Sequence, residues 1–161
     1  MVVRYHMHKS ERQIQDREAM VQLVKNKRYV TIAMCRESEP YIVTMNYGYD
    51  MDQHVLFFHC ALKGLKLDFI RQNPRVCATV VDDRGYQMGQ CEHAYGSVVF
   101  WGDMFIVQSL DEKKHAMDVL LLHQENDPET VRERTLKDDS VYDTMTILRL
   151  DIREITGKQS A

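Results

Sequence analysis

No apolar stretch in this chain approaches the length of a membrane span. Lysine and arginine form no dense run and the net charge is −3, so there is no electrostatic case for nucleic acid. No Gly-x-Gly-x-x-Gly, P-loop or serine nucleophile elbow occurs. No CxxC joins the four cysteines, Cys35, Cys60, Cys77 and Cys91. Three of them sit in apolar strand-like runs, where a reduced cysteine acts as a small hydrophobe. Free thiols in a reducing cytoplasm are the expectation. The N-terminal MVVRYHMHKSERQ turns charged too soon for a signal peptide. Without an internal repeat or a linker, residues 1–161 are expected to form one domain, long enough to bury its own core.

What is present alternates. RYVTIAMC (28–35), YIVTMNYGYD (41–50) and HVLFFHC (54–60) are separated by the short polar turns RESEP and MDQ, which predicts an antiparallel meander. RVCATVVDD (75–83) is a further strand, RGYQMGQ a loop, and YGSVVFWGDMFIVQ (95–108) a long strand or hairpin. In VYDTMTILRLDIREI, Tyr142, Thr144, Thr146, Leu148, Leu150 and Ile152 share one predicted face. A helix is predicted from Glu11 to Asn26, opened by a Ser10–Gln13 capping box, with Met20, Leu23 and Val24 inward. A second follows the third strand, with Leu62, Leu65 and Phe69 inward, and Asn73-Pro74 closes it. A third opens on a Ser109–Glu112 capping box with Met117, Leu120 and Leu121 on one face. The polar QENDPETVRERTLKDDS is expected to loop out. Six or seven antiparallel strands with inserted helices point to a mainly β chain folded as a small closed or split barrel, which leaves few exposed edges.

The segment FFHCALKGLKLDFI (57–70) departs from ordinary core-building. An apolar strand ends in His59 and Cys60, and a helix starts within a few residues around Gly64, between Lys63 and Lys66. Unpaired backbone N–H groups and the partial positive charge of a helix start favour an anion, most naturally a phosphate. A glycine lets it approach the backbone, and a lysine one turn in adds a full charge. A solvated helix start with its lysines in water is the plainer alternative.

The order of motifs adds to this. PYIVTMNYGYD, then FFHCALKGLKLDFIRQNPRVCATVVDD, then YGSVVFWGDMFIVQSLDEKKHAMDVLLLHQ, then ITGKQS resembles the FMN-binding split-barrel superfamily over about residues 12–158. Within it the chain is most similar to the pyridoxamine 5′-phosphate oxidase-related branch that contains nitroimidazole-resistance proteins. The resemblance implies that Val43, Thr44, Met45 and Asn46 border the flavin ring and ribityl chain. It implies that His59, Cys60 and Ala61 pass beside the ribityl–phosphate segment, that Gly64 and Lys66 hold the phosphate, and that Ser97 is a polar side chain near the flavin. It also implies a homodimer with FMN in a groove between two barrels. Where relatives often carry Gly-Arg-Lys, this chain has Gly64-Leu65-Lys66; where many carry proline, it has Thr44.

Other features are thin. His6 and His8 alternate in a possible N-terminal strand but lack further ligands for a metal. Cys91-Glu92-His93 fits no common zinc spacing, so no metal site is expected. His115 and His123 read as surface or packing residues, Trp101 as barrel core. His59 serves equally as a hydrogen-bonding residue of the turn or as a ligand contact. With no nucleophile or acid–base dyad evident, redox chemistry would come from the cofactor. The leading expectation is an FMN-dependent oxidoreductase that passes electrons to a small-molecule acceptor such as a nitro compound. The alternatives are a non-catalytic flavin or haem binding protein, and a barrel that has lost its cofactor and serves as an interaction module.

Overall fold

The computed structural model describes residues 7–160. Two short hairpins come first: β2 (Tyr29–Arg36) with β3 (Glu39–Asn46), and β4 (Gly48–Asp50) with β5 (Val55–Cys60). The turn of the second is fixed by Asp50, whose carboxylate accepts the N–H groups of Asp52 and Gln53, each at 3.0 Å. A long hairpin pairs β6 (Arg75–Gln87) with β7 (Glu92–Ile106), and β8 (Thr146–Ser160) lies between β7 and β5. The order is β3-β2-β6-β7-β8-β5-β4, with the two-residue β1 (Gln13–Ile14) added to β8; all pairs are antiparallel.

β3 and β4 are the two ends of this path, yet only Tyr47 separates them in the chain. The chain therefore closes the sheet on itself, and the barrel is split beside that junction. The β4–β5 register sets Gly48 opposite Phe57. Extended by two residues it would set Asn46 opposite His59, but Asn46 pairs with Tyr29 on β2 instead. β3 and β5 diverge there.

Strand β5 is buried on both faces, which is why VLFF is an unbroken apolar run. Leu56 and Phe58 enter the barrel core with Ile32, Val80, Phe100, Leu148 and Leu150. Val55 and Phe57 face outward, under Ala116, Met117 and Leu120 of α3 (Leu110–Gln124). α3 lies so close to β4 that a Cβ on Gly48 would sit 2.6 Å from the Leu120 nitrogen.

Several elements depart from the sequence-based expectations. The first helix is shorter: a 3-10 turn over Ser10–Arg12 and β1 precede α1 (Arg17–Lys25). Pairing of Gln13 and Ile14 with Lys158 and Gly157 draws these residues out of the helix. Asp16, not Ser10, caps it, accepting from the Glu18 N–H at 2.9 Å. α2 starts at Leu65 and runs to Gln72, so its buried residues are Leu67, Phe69 and Ile70; Leu62 and Leu65 are about half exposed. YIVTMNYGYD is two strands, broken at Tyr47. RGYQ continues β6 past a bulge between Asp83 and Gly85, and the turn follows Gln87. Ser109 makes no side-chain cap bond; Glu112 pairs with Arg149 instead, at 2.9 Å. The polar stretch forms α4 (Pro128–Thr135), capped by Asp127, with no buried residue to give it a periodic signal. Tyr142 and Thr144 precede β8: Tyr142 lies in a 3-10 turn and is buried against the α3 cluster. His8 is exposed and outside any strand; His6 lies outside the described residues. Met117, Leu120 and Leu121 are buried together, and so are Met20 and Val24.

The C-terminus of α3 locks the closure. His123 Nε2 donates to the Lys27 carbonyl at 2.7 Å, and its Nδ1 accepts the Tyr49 N–H at 3.4 Å. Only the neutral ring does both, since a proton on Nδ1 would oppose Tyr49 N–H. Burial lowers the pKa of His123 below its ordinary 6.5, although the bond to Lys27 works the other way. Burial lowers His54 and His59 as well. Stability should therefore be full above 6.5 and fall as pH drops through that value, levelling once the folded histidines protonate. Urea midpoints at about pH 7.5 and about pH 5.5 check this, and His123→Gln should remove part of the difference. Equal midpoints would contradict it.

Candidate functional site

The split opens as a groove of about 600 Å³. Its β3 wall is Val43, Thr44, Met45 and Asn46; the end of β5 contributes His59 and Cys60, and the first turn of α2 contributes Lys66. The opposite wall is mostly apolar, with Met117, Leu120 and Leu121 of α3, Val131 of α4, then Leu136 and Met145; Gln124, Glu125 and Thr135 add polar groups to it. A larger groove, about 890 Å³, lies around Trp101 and contains none of the residues implied above for a flavin.

Local structure explains each position. Alternation along β5 turns Cys60 toward the barrel core, against which it packs, and His59 toward the side of Val55 and Phe57. Burial raises the Cys60 thiol pKa, and the nearby Lys66 ammonium pulls it partly back. The His59 imidazole makes no side-chain hydrogen bond among the described residues, and the surrounding protein lowers its pKa. Gly64 caps α2 at φ 154°, a conformation that disfavours a side chain, and a Cβ there would meet nothing within 4 Å. Lys66, two residues on, forms no ion pair among the described residues. The groove thus has an unspent cation beside an open stretch of backbone.

The inner end is rigid. Gln124 Nε2 donates to the carbonyls of Tyr47 at 2.7 Å and Arg28 at 3.1 Å, and its Oε1 accepts from Asn46 at 3.3 Å. Thr44 Oγ1 meets Thr31 Oγ1 at 3.0 Å across the hairpin. α4 is held to α3 through Arg132, which bridges Asp118 at 2.8 Å and Glu129 at 2.5 Å.

Seven of the residues singled out in the sequence therefore meet: Val43, Thr44, Met45, Asn46, His59, Cys60 and Lys66. Ala61 and Gly64 lie in the turn between Cys60 and Lys66 and do not line the groove. Ser97 is elsewhere within the chain, on β7 beside a hollow of about 260 Å³ shared with Trp101. The α3–α4 wall was missed. The α3 apolar face was legible as packing, but the Asp127-Pro128 helix start that positions Val131 was overlooked.

A family model described as pyridoxamine 5′-phosphate oxidase matches residues 16–159. The chain belongs to the pyridoxamine 5′-phosphate oxidase family. Its split-barrel architecture recurs in solved structures. A Bacteroides thetaiotaomicron protein provisionally named a 5-nitroimidazole antibiotic resistance protein aligns at TM-score 0.74 and 21% identity, over 91% of this chain and 85% of that one. A FAD-binding protein from Mesorhizobium loti aligns at 0.68 and 20%, over 93% and 98%. A FAD and haem binding protein from Mycobacterium smegmatis aligns at 0.72 and 18%, over 92% and 73%. At these identities the likeness is one of fold. No curated protein matches the sequence. Among the described residues, no helix is long and apolar enough to cross a membrane, and no group of three or more His, Cys, Asp or Glu could hold a metal.

Proposed function

We propose that residues 1–161 act as a single cytoplasmic FMN-binding domain, an oxidoreductase that passes electrons to small, flat, electron-poor acceptors such as nitroaromatics. The observation that carries the reading is the unpaired Lys66 at the start of α2, beside the open backbone of Gly64 and in one groove with the β3 wall. A phosphate suits that end, as helix starts favour anions. A flat ring suits the space between Val43–Asn46 and the apolar α3–α4 wall. FMN, when bound, supplies the redox chemistry. Ala61, Gly64 and Lys66 would hold its phosphate, Val43 to Asn46 would cover one side of the ring, and Met117 and Leu121 would exclude water. His59, neutral and unbonded, is free to hold or release a proton at the groove mouth. The unbonded imidazole also favours a second reading, a flavin or haem carrier, because a neutral imidazole is a haem ligand. The absorption spectrum separates the two ligands.

Lys66→Ala should cost roughly 1.5–3 kcal/mol of FMN binding, the loss of a charge-assisted contact. Riboflavin, without the phosphate, should bind the variant and the parent alike. Equal FMN affinity in the variant would show that the phosphate lies elsewhere. Lys63→Ala asks whether that lysine stands in for the arginine absent at Leu65; a matching loss would mean that it does.

Activity is read by reducing the flavin chemically without oxygen, adding a nitroimidazole and following reoxidation. Reoxidation is expected. Its absence across several nitro and quinone acceptors would leave the carrier reading.

A homodimer is part of this proposal. Tyr29, Ile42 and Val81 are exposed by 64%, 66% and 53% on the outer side of β2, β3 and β6, and a second copy would cover them. Light scattering should give about twice the 19.0 kDa of one chain; a monomer at micromolar concentration would count strongly against it.

A further inference from the structure

One end of the split groove is set by amides. The β2–β3 ladder ends at the pair Tyr29–Asn46. One step beyond it stand the carbonyls of Arg28 and Tyr47, and Gln124, the last residue of α3, donates to both through Nε2, at 3.1 and 2.7 Å. Only the NH2 end of an amide serves two carbonyls, so these partners fix which way the Gln124 amide points. Its Oε1 is left to accept, and Asn46 Nδ2 donates to it at 3.3 Å. That bond fixes the Asn46 amide in turn, because the reversed amide would set two oxygens face to face. Asn46 is exposed and lines the groove. It keeps its whole Oδ1 and one amide hydrogen, neither with a partner among the described residues. The other side chains of the β3 wall offer less: Val43 and Met45 pack against the core, and the Thr44 hydroxyl is engaged by Thr31 at 3.0 Å.

We propose, resting on the flavin reading above, that Gln124 is a positioning residue: it holds Asn46 as an acceptor beside a donor, an edge for a ring that carries an imide, an N–H flanked by carbonyls. The pyrimidine end of a flavin is such an imide. Two-point pairing of a primary amide with a ring edge is how asparagine reads adenine. A carboxylate or a nitro group offers acceptors only and would leave Asn46 Oδ1 opposed by an oxygen. The edge thus favours flavin over haem, whose peripheral polar groups are carboxylates. Tyr29 stands beside Asn46 in the β2–β3 register, so in the proposed homodimer this edge of the ligand would lie at the seam between the two barrels.

Riboflavin and its 3-methyl derivative, in which the imide N–H is capped, are titrated into the full-length protein and followed by flavin fluorescence. Neither carries a phosphate, so Lys66 does not enter the comparison. The parent should bind riboflavin about tenfold or more tighter than the 3-methyl derivative. Asn46→Ala should bring the two affinities together. Gln124→Met should narrow the ratio as well, because the freed Asn46 amide can turn; a Gln124 that served only the two carbonyls would lower the urea midpoint in that variant and leave the ratio intact. Where Gln124→Met does not fold, solvent exchange of the Asn46 side-chain amide protons in the free parent decides: the proton given to Gln124 should exchange the more slowly. Equal affinities in the parent, an unaltered ratio in either folded variant, or equal exchange of the two protons would each overturn the proposal while leaving flavin binding in place. Binding of neither flavin would overturn the flavin reading and this one with it.

Discussion

Everything in this chain depends on the break at Tyr47. A sheet whose two end strands are consecutive in sequence can close only if the chain turns sharply between them, and Tyr47 is that turn. Its ring is fully buried in the barrel core, and its hydroxyl donates to the Val24 carbonyl of α1. Its own carbonyl accepts from Gln124, and the His123 ring packs 4.8 Å from its centroid. Burial raises the phenol pKa, so the hydroxyl stays a donor at any physiological pH. One residue thus ties α1, α3, β3 and β4 together, and a groove opens where β3 and β5 fail to pair.

The same closure explains why α3 serves both packing and the groove. Gly48 lets the helix backbone approach β4 closely, which sets the depth of Met117 and Leu120. Those side chains cover the outer face of β5 and end as the apolar wall of the groove. The wall is therefore continuous with the core behind it, whereas α4, with no buried residue, has its ion pair to α3 through Arg132 and Asp118. Surface ion pairs contribute little each, so the α4 side is the softer boundary.

Much of the barrel was legible because period-2 alternation is strong in β2 and β8, β5 is an unbroken apolar run, and the short hairpin turns are polar. The β5 end and the α2 start were legible for another reason: two polar residues, a glycine and lysines interrupt an apolar run without a packing explanation. The misreadings share a cause. Gln13 and Ile14 look like the first turn of a helix until β8 offers them partners, and tertiary pairing then overrides local propensity. The α2 phase shifts because Gly64 delays the helix start, which turns Leu62 and Leu65 outward. α4 lacks an apolar stripe, so only its cap marks it. Ser97 could not be assigned by spacing, because β7 borders neither β3 nor β5 in the sheet and within one chain opens onto a different hollow.

The titratable groups of the groove explain why no acid–base motif could be found in the sequence. Burial lowers the His59 pKa and raises that of Cys60; near neutral pH the ring is uncharged and the thiol protonated. Lys66 and, at the rim, Glu125 are the only other ionisable side chains on its walls. Such a groove offers one anchoring cation, one weak proton source, the single carboxylate of Glu125 and otherwise apolar, hydroxyl or amide surface. It is suited to holding a ligand by one charged end while the rest lies against apolar side chains. Bond-making chemistry that needs a thiolate or a carboxylate pair has no means there. Under the proposed function that division is the expected one: the walls orient and desolvate, and the electron chemistry belongs to the ligand they hold.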